Sequence, residues 1–406
     1  MQAMKHHIFA FTALFLLGAC ETSSLGPWKS SQTADFGAAQ ETPRHFADKA
    51  ALGQTALSGQ PSVKVALLVP LSSPNKDLGQ SMMNAAQLAL FDMGYENFEL
   101  LPEDSGNDAA SARVAAQNVL NEGADLILGP VFADAVAAVK PLAAQKNVNV
   151  IAFSTDWKVA GGNTFLMSFV PFDQVKRIAS YNASLGRQKV GILEPQTEYG
   201  RTVTKEYQAV LKSLGLPAAQ VTRLPDDPQQ LPAAIQSFAQ SGAYDSVFIP
   251  VGGERALAVA SLLTQAGLTS DKVSYLSTGL WDDTGLAHHA VMSNALFAAP
   301  QPDLRNNFLR NYRQTYGGNA PPRLASLAYD ATALAAVLAR QASSADPAHA
   351  FNRAALLNPN GFAGIDGIFR FGPNGIVQRG QAVLTFKNMS IDIVDRAPRT
   401  FQNQQN

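Results

Sequence analysis

The chain contains one cysteine, Cys20, in 406 residues. No intramolecular disulfide can form and cysteine-based metal sites are excluded, so a folded part must be held by burial alone. An excess of charge is also missing: 31 Lys and Arg stand against 32 Asp and Glu, so no basic surface invites nucleic acid. Aromatic residues are 8 % of the chain, and the hydrophobic fraction rests mainly on Ala, Leu and Val, a mix common in layered α/β proteins. The signatures G-x-S-x-G, H-E-x-x-H, Walker A and G-x-G-x-x-G do not occur. Asp226-Asp227 and Asp282-Asp283 are too generic to imply glycoside chemistry, which needs two carboxyls facing across a scissile bond. His288-His289 does not suggest a metal site, because adjacent residues do not share a helix face and no further ligands lie nearby. A protein that is not an enzyme, without cofactor or metal, is expected.

Long apolar runs are almost absent too. The exception is Phe9 to Cys20, FAFTALFLLGAC, preceded by Lys5, His6 and His7. About eleven apolar residues fall short of the roughly twenty that span a bilayer, but they suit a signal-peptide core. The ending Leu17-Gly18-Ala19-Cys20 resembles the lipobox of bacterial lipoproteins, in which a diacylglyceryl thioether forms on the cysteine and cleavage makes it the new N-terminus. An ordinary cleavable signal also ends in small residues, and a buried structural cysteine is the plain alternative; a lone cysteine at this one spot favours lipidation. Residues 1–19 are then the signal peptide. Fatty chains such as palmitate on Cys20 contribute about 0.8 kcal/mol per buried CH₂ and hold the protein to a membrane.

From Cys20 to residue 60 the chain shows neither a 2.0 nor a 3.6 period and reads as a flexible linker, about 130 Å long when fully extended. Order begins at VKVALLVP (63–70), a continuous apolar run with the look of a buried parallel strand. Strand-like FELLPEDS (98–105), ADLILGP, VNVIAFS (148–154) and TFLMSFV (164–170) then alternate with helical segments, one of which has Asp108 as N-cap and Gly123 as stop. A second alternating series follows Pro171, with strands at 189–195, 219–225, 244–251 and 272–279. ALFAAP (295–300), two helices near 303–316 and 322–342, and a terminal hairpin turning at Gly372-Pro373-Asn374-Gly375 complete it. Two parallel α/β sheets in tandem are expected over 61–396, with 397–406 a disordered tail.

These landmarks together resemble the type 1 periplasmic binding fold, in the branch of branched-chain amino-acid binding proteins. The resemblance covers roughly 62–396 and rests on VALLVPLSSPNKDLGQSMMNAAQLAL, LILGPVFADAVAAVKPLA with NVNVIAFST, TEYG (197–200), STGLWDD (277–283), SLAYDATALAA (326–336) and GFAGIDGIFRFGPNG (361–375). It implies two lobes joined by three crossovers, lobe 1 over about 62–171 and 297–348, lobe 2 over about 172–296 and 349–396. Lipobox, linker and domain together look most like the penicillin-binding protein activators of proteobacteria, lipoproteins on the periplasmic face of the outer membrane that stimulate a bifunctional peptidoglycan synthase. Glu21 after the cysteine leans the same way, towards the outer membrane. A solute-binding component of an amino-acid or peptide importer is the other reading.

Ligands of doubly wound sheets sit beyond the carboxyl ends of the strands. In amino-acid-binding relatives a hydroxyl residue and backbone N–H groups at the helix start after the Gly-Pro motif hold the ligand carboxylate. Here that place reads Phe132-Ala133-Asp134, an aromatic and an acid that crowd and repel a carboxylate. The remaining cleft candidates are Ser72, Ser154 and Thr155 as hydroxyl donors, Tyr199 for stacking or hydrogen bonding, Glu254 for an ammonium group, and Trp281 near an expected crossover. Each has a bland counterpart: Ser154 and Thr155 capping a strand end, Tyr199 and Trp281 packing, Glu254 sitting in a helix's first turn. An amino-acid-like compound or a muropeptide is the small ligand such a cleft would take.

Overall fold

The computed structural model describes residues 44–45, 62–72, 74–342 and 350–401. The expected signal peptide, Cys20 and all but two residues of the linker lie outside the described residues. The first series comprises β1 (Arg44–His45), β2 (Val63–Val69), α1 (Lys76–Met93), β3 (Phe98–Asp104) and α2 (Ala109–Asn121). It continues with β4 (Leu126–Leu128), α3 (Ala133–Gln145), β5 (Asn149–Ala152) and β6 (Thr164–Leu166). The second series is α4 (Phe172–Ser184), β7 (Val190–Pro195), α5 (Glu198–Ser213), β8 (Gln220–Leu224), α6 (Leu231–Gln240), β9 (Ser246–Phe248), α7 (Gly253–Gln265), β10 (Ser274–Ser277) and β11 (Leu296–Ala299). Then come α8 (Pro302–Tyr316), α9 (Ala325–Gln341), α10 (Arg353–Leu356), β12 (Phe362–Gly364), β13 (Gly367–Phe371), β14 (Val377–Arg379), β15 (Ala382–Lys387) and β16 (Ser390–Asp395).

Lobe 1 is built on a parallel sheet in the order β3-β2-β4-β5-β6. Alternation along β2 shows why it is buried on both sides. Val63, Val65, Leu67 and Val69 join the core under α1, α8 and α9, while Ala66 and Leu68 join the core under α2 and α3. Lobe 2 is a seven-stranded sheet, β16-β15-β11-β10-β9-β7-β8, in which only β15 runs against the others, antiparallel to both β11 and β16. Its two faces divide in the same way, Val247 and Ile249 to one core and Phe248 to the other. A four-stranded sheet, β1-β12-β13-β14, pairs β1 with β12 in parallel and touches β6 through the bridge Leu166–Ile376.

This is the α/β, two-lobed architecture expected, but two segments change lobes. β11 pairs with β10 and β15, so the chain returns to lobe 1 at Pro300-Gln301 and not at residue 297. Residues 350–379 belong to lobe 1, because Phe351, Leu356, Phe362, Phe369, Phe371 and Val377 bury into its core. The expected terminal hairpin is therefore real only as β13–β14; β15 crosses over after Gly380 and pairs with β11 and β16 of lobe 2. The expected tail also starts later than 397. Phe401 is buried with the Arg370 guanidinium 4.4 Å from its ring centre, and only 402–406 lie outside the described residues.

Candidate functional site

Both lobes bring a helix close to the end of a strand by means of a glycine. A Cβ on Gly79 in α1 would sit 1.9 Å from the Pro70 carbonyl oxygen, and one on Gly200 in α5 would sit 2.2 Å from that of Pro195. Only glycine permits such an approach of backbone to backbone. The loops it shapes, at Leu71–Ser72 and Pro74–Asn75 and at Gln196–Thr197, lie at the carboxyl ends of β2 and β7.

In lobe 1 two of the three hydroxyls expected to serve a ligand, those of Ser72 and Ser154, are engaged locally. The Asp104 carboxylate at the end of β3 accepts backbone N–H bonds from Leu71 (2.8 Å), Ser72 (3.3 Å) and Gly106 (2.9 Å). Burial would raise its pKa, but the Ser72 hydroxyl and these N–H groups outweigh it and hold the carboxyl below its ordinary value. Ser72 is thus part of a loop brace. Ser154 is buried and its hydroxyl accepts from the Asp156 N–H at 3.1 Å, whereas Thr155 is exposed. Phe132 is the N-cap of α3, in extended backbone and with no side-chain capping bond; half-buried, it packs against the cores on both faces of the sheet. Ala133 is half-buried and Asp134 exposed in the first helical turn.

In lobe 2, Tyr199 is held by a 2.7 Å hydrogen bond between its phenol and the hydroxyl of buried Thr278, and burial pushes its pKa up to about 12. Glu254 is exposed in the first turn of α7. Trp281 is not a cleft residue: it is fully buried, its indole N–H donates to the Val251 carbonyl at 2.8 Å, and its ring packs against Phe386. Its place just after β10, and not the polar residues that follow it, puts it into the lobe 2 core. His288 and His289 are both exposed, and no cluster of three or more potential metal ligands occurs among the described residues.

Three ion pairs among the described residues cross between the lobes; one of them, exposed, joins Arg396 Nη1 after β16 to Asp303 Oδ2 on α8 at 3.2 Å. Lys158 Nζ in the short turn after β5 lies 2.5 Å from Glu198 Oε1 at the start of α5, both well exposed. Arg323, just before α9, places Nη1 2.9 Å from Asp282 Oδ2 of lobe 2 and Nη2 3.2 Å from Asp366 Oδ1 of lobe 1. Behind Arg323 is a cluster that sequence reasoning missed. Buried Arg379 lies beside the crossover Met167–Pro171: its N–H donates to Asp173 at 2.7 Å, its Nε to the Ser168 carbonyl at 3.3 Å, and its Nη1 lies 3.9 Å from Asp330 on α9. The rings of Phe169 and Phe369 lie 5.1 and 5.3 Å from its guanidinium. Ser326 donates to Asp366, and the Ile365 N–H to Asp330. Burial pushes Asp330 up to about 7, against the pull of Arg379, and pushes Asp173 up to about 6, against the Arg379 N–H bond. It also raises Asp282, which Arg323 opposes. These residues are scattered from 168 to 379, so no local spacing announced them.

Two tandem α/β lobes, three crossovers and loops converging at the strand ends define a two-lobed binding protein. The chain belongs to the periplasmic binding protein family, whose family model matches residues 62–389. No curated protein matches the sequence. Solved structures with this fold include a putative branched-chain amino acid ABC transporter protein from Rhodospirillum rubrum, 16% identical, TM-score 0.70, covering 82% of this chain and 100% of that one. The leucine-binding protein LivK of Thermotoga maritima is 22% identical, TM-score 0.56, over 82% of this chain and 98% of its own. The C-domain of Haemophilus influenzae LpoA, a regulator of PBP1A, is 16% identical, TM-score 0.63, over 82% and 99%. At these identities the likeness concerns the fold. The family and these neighbours are binding proteins, and no helix among the described residues is long and apolar enough to cross a membrane.

Proposed function

We propose that this chain is an envelope lipoprotein that regulates peptidoglycan synthesis by binding and activating a bifunctional penicillin-binding protein. The observation that carries the reading is the start of α3, where amino-acid-binding relatives are expected to hold a carboxylate. Here Phe132 fills the N-cap position with no hydroxyl to offer, and Asp134 adds a negative charge in the first turn. The hydroxyls nearest in role, Ser72 and Ser154, brace their own loops. A cleft so furnished is poorly suited to an amino acid, which leaves the surface of the domain as the functional part. Lipidation of Cys20 on the periplasmic face of the outer membrane, with the linker as a tether, would let that surface reach a synthase across the periplasm. The fold shared with the LpoA C-domain, a regulator of PBP1A, agrees with this reading. The test is addition of the purified protein to a bifunctional penicillin-binding protein, with glycan polymerisation and peptide cross-linking followed.

The second reading, a solute-binding component of an ABC importer, draws on the likeness to the R. rubrum and T. maritima proteins. Calorimetry against amino acids and muropeptides separates the two. Micromolar binding of one of these compounds with closure of the lobes favours the importer, and no heat with any of them favours the regulator.

A further inference from the structure

The cluster at the crossovers contains two opposed tendencies. Asp330 and Arg379 are buried, yet Asp330 Oδ2 and both terminal nitrogens of Arg379 make no hydrogen bond. An ion pair buried at 3.9 Å whose facing atoms make no hydrogen bond to each other pays a desolvation cost that its Coulomb attraction does not recover, so the cluster on its own favours a lobe arrangement that admits water. Arg323 opposes that. Its guanidinium is fixed in lobe 1 by Asp366 and by the Phe169 ring, 5.3 Å away, and its other nitrogen grips Asp282 at 2.9 Å, on the loop that leaves β10 of lobe 2. A fork of donors held on one side and satisfied on both is a specific clamp. The Lys158–Glu198 and Arg396–Asp303 pairs, by contrast, are exposed and screened by salt.

We propose that Arg323 and Asp282 form a latch that fixes the angle between the lobes. Hinge closure in periplasmic binding proteins is ordinarily a response to ligand; here the chain's own ion pair supplies the differential contact between open and closed states. The latch stands whether or not a synthase is the partner.

The test is a distance distribution between labels on the two lobes, at Val114→Cys on α2 and Leu214→Cys after α5, both exposed positions, in full-length chain carrying Cys20→Ser. The labelled parent should give one narrow distance in 0.05 M and in 1 M salt. Asp282→Asn, which keeps the shape and removes the charge, should add a second, longer population containing at least a third of the molecules, whereas Lys158→Gln should leave the distribution unchanged. A parent that is already split, an Asp282→Asn distribution as narrow as the parent's, or a split caused by Lys158→Gln would overturn the latch. If Asp282→Asn does not fold, hydrogen exchange on the wild-type chain decides. Segments 168–173 and 377–381 should be protected like core strands, and exchange there as fast as in exposed loops refutes the proposal.

Discussion

Asp330 and Arg379 face each other at 3.9 Å inside the protein, one on the last long helix and the other at the final crossover, without a hydrogen bond between them. The pair joins the core of lobe 1 to the chain segments that lead into lobe 2, and its ionisation is tied to folding.

Stability should therefore depend on pH in an unusual direction near neutrality. Asp330 and Asp173 bind a proton more tightly when folded, at about 7 and about 6, than at the ordinary 3.8. Their contribution is complete below the ordinary value and is lost as pH rises through 6 and then 7, at up to about 1.4 kcal/mol per pH unit for each proton. The charged groups acting on them are Arg379 and Asp366 for Asp330, and Lys176, Arg370 and Arg379 for Asp173. Asp104 and Asp303, held low by hydrogen bonds that outweigh burial, lose their contribution only as pH falls below the ordinary carboxylate range. Urea unfolding at pH 5, 6, 7 and 8 should show stability falling with pH, and Asp330→Asn should flatten the slope near 7.

Gly364 permits the approach of that carboxylate. A Cβ there would lie 2.4 Å from Asp330 Oδ2, with the rest of the carboxylate within 2.8 Å. Gly364→Ala should cost about 2 kcal/mol, as overpacking does in a filled interior, and lower the urea midpoint at unchanged m-value.

Trp281→Phe should destabilise by about 2 kcal/mol, since the smaller ring leaves space beside Phe386 and the buried Val251 carbonyl loses its donor. Synthase binding and any small-ligand heat should be unaffected once the protein is folded. A change in ligand heat without a change in stability would return Trp281 to the cleft.

Much of the architecture was legible in residue order. The doubly apolar run 63–69 gave a central strand, and Asp108 caps α2 as expected, its carboxylate accepting the N–H groups of Ala110 and Ser111 at 2.8 Å each. What escaped was set by tertiary pairing. AVLTFK follows a good turn and reads as a hairpin partner of IFRF, yet Gly380 and Gln381 carry it to the other lobe, where β11 offers an open edge. Trp281 looked available because it lies near an expected crossover, and the hinge cluster was invisible because Asp330, Asp366 and Arg379 meet only when three segments fold together. Ser326 and Asp330 stand one turn apart on α9, and the groups they meet, Asp366, Ile365 and Arg379, lie on other segments.

Cys20→Ser should leave the melting temperature of the domain unchanged and shift the protein from the membrane fraction to the soluble periplasm. Retention in the membrane after that change would remove the lipid tether from the account.

The most direct measurement is the rate of glycan polymerisation and peptide cross-linking by a purified bifunctional penicillin-binding protein, with and without this protein at equimolar amounts. The account predicts co-purification of the two and a rise in at least one rate. No binding and unchanged rates, beside a micromolar amino-acid ligand in calorimetry, would contradict it.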